Sequence, residues 1–115
     1  MNAFVEIRTA TEAFGLQEER AEWVTGFAGF YFYNLANIGR VVGFDQKLRI
    51  HPLTGWIASL YTRISSETDP GAEIGAFVAL GTIVLERAGI IEVDWEAGLA
   101  QVTEFGVEES FNLFS

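Results

Sequence analysis

Leu85-Glu-Arg-Ala-Gly-Ile-Ile-Glu-Val-Asp-Trp-Glu-Ala-Gly-Leu-Ala-Gln-Val-Thr-Glu-Phe-Gly106 is the stretch on which the fold turns. Its first residues read as the end of a helix, with Gly89 just past the last helical residue, where a left-handed backbone favours glycine. Ile91, Val93 and Trp95 then alternate with Glu92, Asp94 and Glu96, the period-two pattern of a half-buried strand. Ala97-Gly98 turns the chain, and Leu99–Thr103 returns antiparallel. Gly106 closes the unit, leaving Val107–Ser115 for a short amphipathic helix through Val107, Phe111 and Phe114.

Upstream, Asp69 suits a cap and Pro70 a first helical position, so a helix is predicted from there to Arg87. Gly71, Gly75 and Ala79 recur every fourth residue within it. Glycine costs about 1 kcal/mol relative to alanine inside a helix, and close approach of a second helix is the usual compensation. Before that, Leu53, Trp56, Ile57, Leu60 and Ile64 form a one-sided stripe that predicts a helix over Pro52–Ser65. Val41–His51 reads as a connection, and with Arg40 it holds the cations Lys47 and Arg49. Gln17 to Arg40 reads as a longer helix with Glu18, Glu19 and Glu22 in its opening turns, where the helix dipole favours anions. Phe4, Ile7, Thr11 and Phe14 predict a first short helix behind an Asn2 cap, with a strand at Phe4–Arg8 as the competing reading.

At 115 residues, half of them hydrophobic, the chain is expected to fold as a single domain over 1–115. Cysteine is absent, which removes disulfides, thiol nucleophiles and thiolate metal sites and fits a reducing compartment, the cytoplasm. The opening residues lack both a basic start and an unbroken apolar run, so no cleavable leader is expected. Trp23–Phe44 is nearly free of charge, but Asn34, Asn37, Arg40 and four glycines argue against a membrane span.

The formal net charge is −9, unevenly spread. Residues 1–60 carry six acids against five bases, whereas residues 61–115 carry ten against two. Such a surface repels phosphate and attracts basic partners. His51 is the only histidine, and nothing pairs it with a nucleophile and an acid, so no catalytic residue is assigned. A glycine-hinged acidic loop and a glycine-rich phosphate cradle are both missing, and neither a metal nor a cofactor is expected. Glu92, Asp94 and Glu96 lie on one strand face, and solvation explains them more simply than a pair of catalytic carboxylates does.

The predicted order of helices followed by a hairpin resembles a winged helix-turn-helix. Residues 85–106 are similar to the phrase that ends the recognition helix and runs through the wing of MarR- and PadR-like regulators, with Leu85, Ile90 and Ile91 as core positions and Gly89 as the helix stop. The resemblance implies a mainly α fold with a small β-hairpin, four to five helices and a two-stranded wing. It also implies that the helix before the wing reads the major groove through polar and basic side chains. Here that helix would open on Pro70, Gly71, Ala72, Glu73, Ile74, Gly75, Ala76 and Phe77, and the wing offers Glu92, Asp94 and Glu96 where phosphate contacts need cations.

The expected function is therefore a non-catalytic interaction module. It binds a basic partner, for example a nucleic-acid-binding protein, through Glu92, Asp94, Glu96, Glu104, Glu108 and Glu109, in one version as a nucleic-acid mimic. Sixteen aromatic residues are hard to hide in one small core, so a homodimer is also expected. Its interface is assigned to Phe27, Phe30, Tyr31, Gly71, Gly75 and Ala79. The alternative is a dimeric DNA-binding regulator contacting nucleic acid through Arg40, Lys47 and Arg49.

Overall fold

A computed structural model of the chain describes residues 2–65 and 74–113. These residues form helices α1 (Ala3–Glu12), α2 (Glu18–Val42), α3 (Ile50–Ile64), α4 (Ile74–Arg87) and α5 (Glu104–Leu113). Strand β1 (Leu48–Arg49) lies between α2 and α3, and β2 (Ile91–Asp94) and β3 (Leu99–Val102) make the hairpin before α5. The antiparallel sheet has the order β1-β3-β2. The fold is mainly helical, with one strand between helices and a late hairpin that completes a small antiparallel sheet. The expected Asp69–Pro70 cap and Gly71 lie outside the described residues.

α2 is the centre of the molecule. Trp23, Val24, Phe27, Ala28, Tyr31, Phe32, Leu35 and Ala36 are buried along it, at the three- and four-residue spacing that turns one face inward. Trp23 stacks on Phe27 at 5.3 Å and meets Tyr61 of α3 edge-on at 5.3 Å. Phe77 of α4 packs on Trp23 at 5.8 Å. α4 comes this close because of Gly81: a Cβ there would lie 2.5 Å from the Phe27 ring. The small residue that admits a neighbouring helix is therefore Gly81, whereas Gly75 and Ala79 are exposed.

α4 ends as the glycine at 89 predicts. Gly89 has φ +78°, its N–H donates to the Glu86 carbonyl, and the Ile90 N–H donates to the Leu85 carbonyl, each at 3.0 Å. Both carbonyls at the helix end thereby gain partners, and Leu85 and Ile90, in the positions of the accompanying apolar contact, are fully buried. The chain leaves this motif directly into β2. The register sets Ile91 opposite Val102 and Asp94 opposite Leu99.

Three expectations are corrected. The sheet has a third strand: the connection after α2 contributes Leu48 and Arg49, paired with Ala100 and Leu99. In α3 the buried residues are Ile50, Thr54, Ile57, Ala58 and Tyr61, while Trp56 and Ile64 of the expected stripe are more than half exposed. The face is rotated because the Tyr31 and Thr54 hydroxyls hydrogen-bond at 2.6 Å inside the core, which draws a polar residue inward. α5 begins at Glu104, earlier than expected, because Thr103 caps it by accepting the Gly106 N–H at 3.1 Å. Its buried positions are Gly106, Glu109 and Ser110, and Phe111 points outward.

Candidate functional site

Paired residues of an antiparallel sheet share a face, so this sheet has an inner row and an outer row. Leu48, Ala100 and Val93 form one row on the inner side, and Ile91 and Val102 continue it. The outer side carries Arg49, Leu99 and Asp94 in line, followed by Gln101 and Glu92. Lys47 joins Glu92, Asp94 and Gln101 around one shallow concavity on that side. With strands about 4.8 Å apart, the backbone of β1, which carries Arg49 and follows Lys47, lies about 10 Å from that of β2, which carries Glu92 and Asp94, across β3. The outer sheet face therefore holds two cations beside two carboxylates, and Lys47 and Arg49, assigned from sequence to a separate nucleic-acid contact, share it with Glu92 and Asp94.

The six expected partner-binding carboxylates divide further. Glu109 is buried: one oxygen accepts the Ala3 N–H at 2.5 Å, and the other accepts from the Asn112 amide at 2.7 Å. Ala3 is the first residue of α1, so Glu109 satisfies and neutralises the positive end of another helix and has no surface to offer a partner. Asp94 is exposed but shapes the hairpin turn, accepting the Ala97 N–H at 3.0 Å through its side chain and the Gly98 N–H at 2.8 Å through its carbonyl. Glu104 is exposed in the first turn of α5, where the helix dipole favours an anion. Glu92, Glu96 and Glu108 are exposed.

The first hairpin strand ends before the alternation predicts. The strand stops at Asp94, so Trp95 sits in the turn and not on the inner face. It is half exposed, and its indole N–H lies 3.3 Å from both oxygens of Glu86 on α4. This contact ties the hairpin tip to α4. Along α4 the outward residues leading to it are Gly75, Ala76 and Ala79, all exposed, then Ile83 and Glu86. The result is a bare apolar helix face ending at a tryptophan flanked by Glu86, Asp94 and Glu96. The alternation in Ile91-Glu-Val-Asp-Trp-Glu96 concealed the role of Trp95. An aspartate followed four residues later by glycine, the chemistry of a turn, was the available signal.

Of the six residues expected at a dimer interface, Phe27 and Tyr31 are fully buried in the core of one chain. Phe30 is half-buried at the surface, Gly75 and Ala79 are exposed, and Gly71 lies outside the described residues. Arg40, at the far end of α2, is exposed. His51 is exposed in the first turn of α3. Among the described residues no group of three histidine, aspartate or glutamate side chains is placed to hold a metal ion. No helix among them is long and apolar enough to cross a membrane, the charge-poor α2 included. No family model matches the chain, and comparisons with curated proteins and with solved structures likewise return no match.

Proposed function

We propose that this chain is a non-catalytic protein-interaction module that uses a winged-helix-like frame to bind a basic protein. The observation that carries the reading is the joined surface of α4 and the hairpin tip: Gly75, Ala76 and Ala79 exposed along the helix, then Glu86 hydrogen-bonded to a half-exposed Trp95. A helix that reads DNA needs arginine, lysine, asparagine or glutamine reaching base edges and phosphates; Gly75, Ala76, Ala79 and Ile83 supply none, and Arg87 at the end of α4 lies over the Phe14 ring. Protein interfaces are instead anchored by aromatic residues in apolar surroundings. The rim carboxylates Asp94 and Glu96 select a positively charged partner and speed its encounter. A protein whose own ligand is nucleic acid presents such a basic surface, and the hairpin would then compete for that groove.

The test is capture of partners from host lysate by the wild type and by a Trp95→Ala, Glu96→Gln variant, at low and moderate salt. The reading expects a basic protein held at low salt, weakened by salt and lost with the variant. Equal capture by both proteins would end it. The alternative, a DNA-binding regulator related to the MarR- and PadR-like proteins that residues 85–106 resemble, draws on the exposed cations Arg40, Lys47 and Arg49. It requires duplex DNA to bind at low ionic strength and to be released by a Lys47→Ala, Arg49→Ala double variant.

A further inference from the structure

The outward side of α2 differs from every other helical face in the described residues that carries this much apolar surface. From Trp23 to Gly39 the helix has no ionised side chain. Its outward ridge runs through Phe30, Tyr33, Asn37 and Val41, with Val41 84 % and Tyr33 47 % exposed. Beside the ridge, Asn34, Asn37, Ile38, Val41, Val42 and Trp56 of α3 line an open apolar cleft of about 320 Å³. Glu22 and Arg40, both exposed, lie at the two ends of this stretch, about five helical turns apart and so on the same side.

We propose that a second copy of the chain covers this ridge, with α2 packed antiparallel against α2 of the other copy across a two-fold axis. A two-fold contact sets residue i against j and j against i. With the axis midway along the charge-free stretch, Phe30 of one copy meets Tyr33 of the other, and Gly26 meets Asn37. Glu22 of each copy then falls beside Arg40 of the other, at both ends of the contact. Large residues thus face small or aromatic ones, and opposite charges close the pair.

The occupant follows from charge. The chain carries −9, so two copies repel wherever they meet through acidic surface. The α2 ridge is where that repulsion is least, and its end charges are self-complementary in the antiparallel arrangement only. A basic foreign protein is drawn instead to the carboxylates at the hairpin tip. The contact runs along about five turns of helix, about 27 Å.

Sedimentation of the full chain between about 1 and 300 µM tests this. The expected result is a reversible monomer–dimer equilibrium, weakened about tenfold by Arg40→Glu and by Glu22→Arg separately and restored by the two together. Because the chain has no cysteine, Tyr33→Cys supplies a single thiol beside the proposed axis. Under mild oxidation it should cross-link, while Ala79→Cys on α4 should not. A monomer at every concentration, a double charge swap that fails to restore pairing, or cross-linking at position 79 would each overturn the proposal. None of these outcomes depends on the basic partner of the hairpin.

Discussion

Replacing Glu109 by alanine should destabilise the fold by about 2–4 kcal/mol. All four leading N–H groups of α1 have partners: Ala3 donates to Glu109, Phe4 and Val5 donate to the Asn2 side chain, and Glu6 donates to the Asn2 carbonyl. Glu109 is the one partner that comes from elsewhere in the chain. It is 9 % exposed, so little water can replace it when it is removed. A hydrogen bond to a charged acceptor contributes about 1.5–3 kcal/mol, and a carboxylate at a helix N-terminus about 0.3–1 kcal/mol more. Glu109→Gln keeps the acceptor and loses the charge, so it should cost only about 1 kcal/mol. Glu108→Ala, the exposed neighbour, should change stability by less than about 0.5 kcal/mol. Urea unfolding followed by far-ultraviolet dichroism and by the emission of buried Trp23 measures all three. In a domain this size 1 kcal/mol shifts the melting temperature by about 4 °C, so the alanine variant should melt roughly 8–16 °C lower. Equal effects at 108 and 109 would refute the capping role and return Glu109 to the surface acids.

The glycines separate into two classes that single substitutions distinguish. A Cβ at Gly106 would lie 2.5 Å from the Ile90 carbonyl oxygen and 2.7 Å from Val102, so Gly106→Ala should cost about 1–3 kcal/mol or more, because backbone has to move. Gly75 has nothing within 4 Å, and Gly75→Ala should stabilise by about 0.5–1 kcal/mol; thermal melts of the two variants should move in opposite directions. Tyr31 gives a pH dependence. Burial raises its phenol above the ordinary value, with Thr54 and Thr82 pulling the other way. The folded chain therefore holds a proton that the unfolded chain releases above about pH 10. The contribution is complete below that pH and is lost as pH rises through the folded value. Tyr31→Phe should cost about 1 kcal/mol at neutral pH, and the gap to wild type should close above pH 10; parallel stability curves would contradict the assignment.

The parts of the fold legible in the sequence are those decided by neighbours in the chain. Asn2 at the head of α1, Gly89 at the end of α4 and the antiparallel return through Leu99 all act within a few residues of themselves. What stayed hidden was decided at long range. β1 is two residues long and exists only because Leu48 and Arg49 meet the hairpin some fifty residues later. Glu108 and Glu109 are chemically identical in sequence, and only the start of α1 distinguishes them. The four-residue period of Gly71, Gly75 and Ala79 suggested a packed face, yet the packed glycine is Gly81, chosen by the Phe27 ring. The core holds Trp23, Phe27, Tyr31, Phe32, Tyr61 and Phe77 and leaves Phe4, Tyr33, Trp56, Trp95 and Phe111 at the surface. Counting aromatics suggested an exposed set without identifying its members.

The acidic hairpin has a more limited role than its composition suggests. Lys47 and Arg49 stand on the same outer sheet face as Glu92 and Asp94, so charge there is balanced. Under the proposed function, selectivity for a basic partner rests on the hairpin tip, where Trp95 hydrogen-bonds to Glu86 and the exposed Glu96 follows it. The most direct measurement is the affinity of a partner captured from lysate for wild type and for Trp95→Ala, Glu96→Gln, measured by titration calorimetry at low salt. A loss of at least tenfold with the fold intact is the predicted result. Unchanged affinity for the variant would contradict it and move the binding surface away from the hairpin.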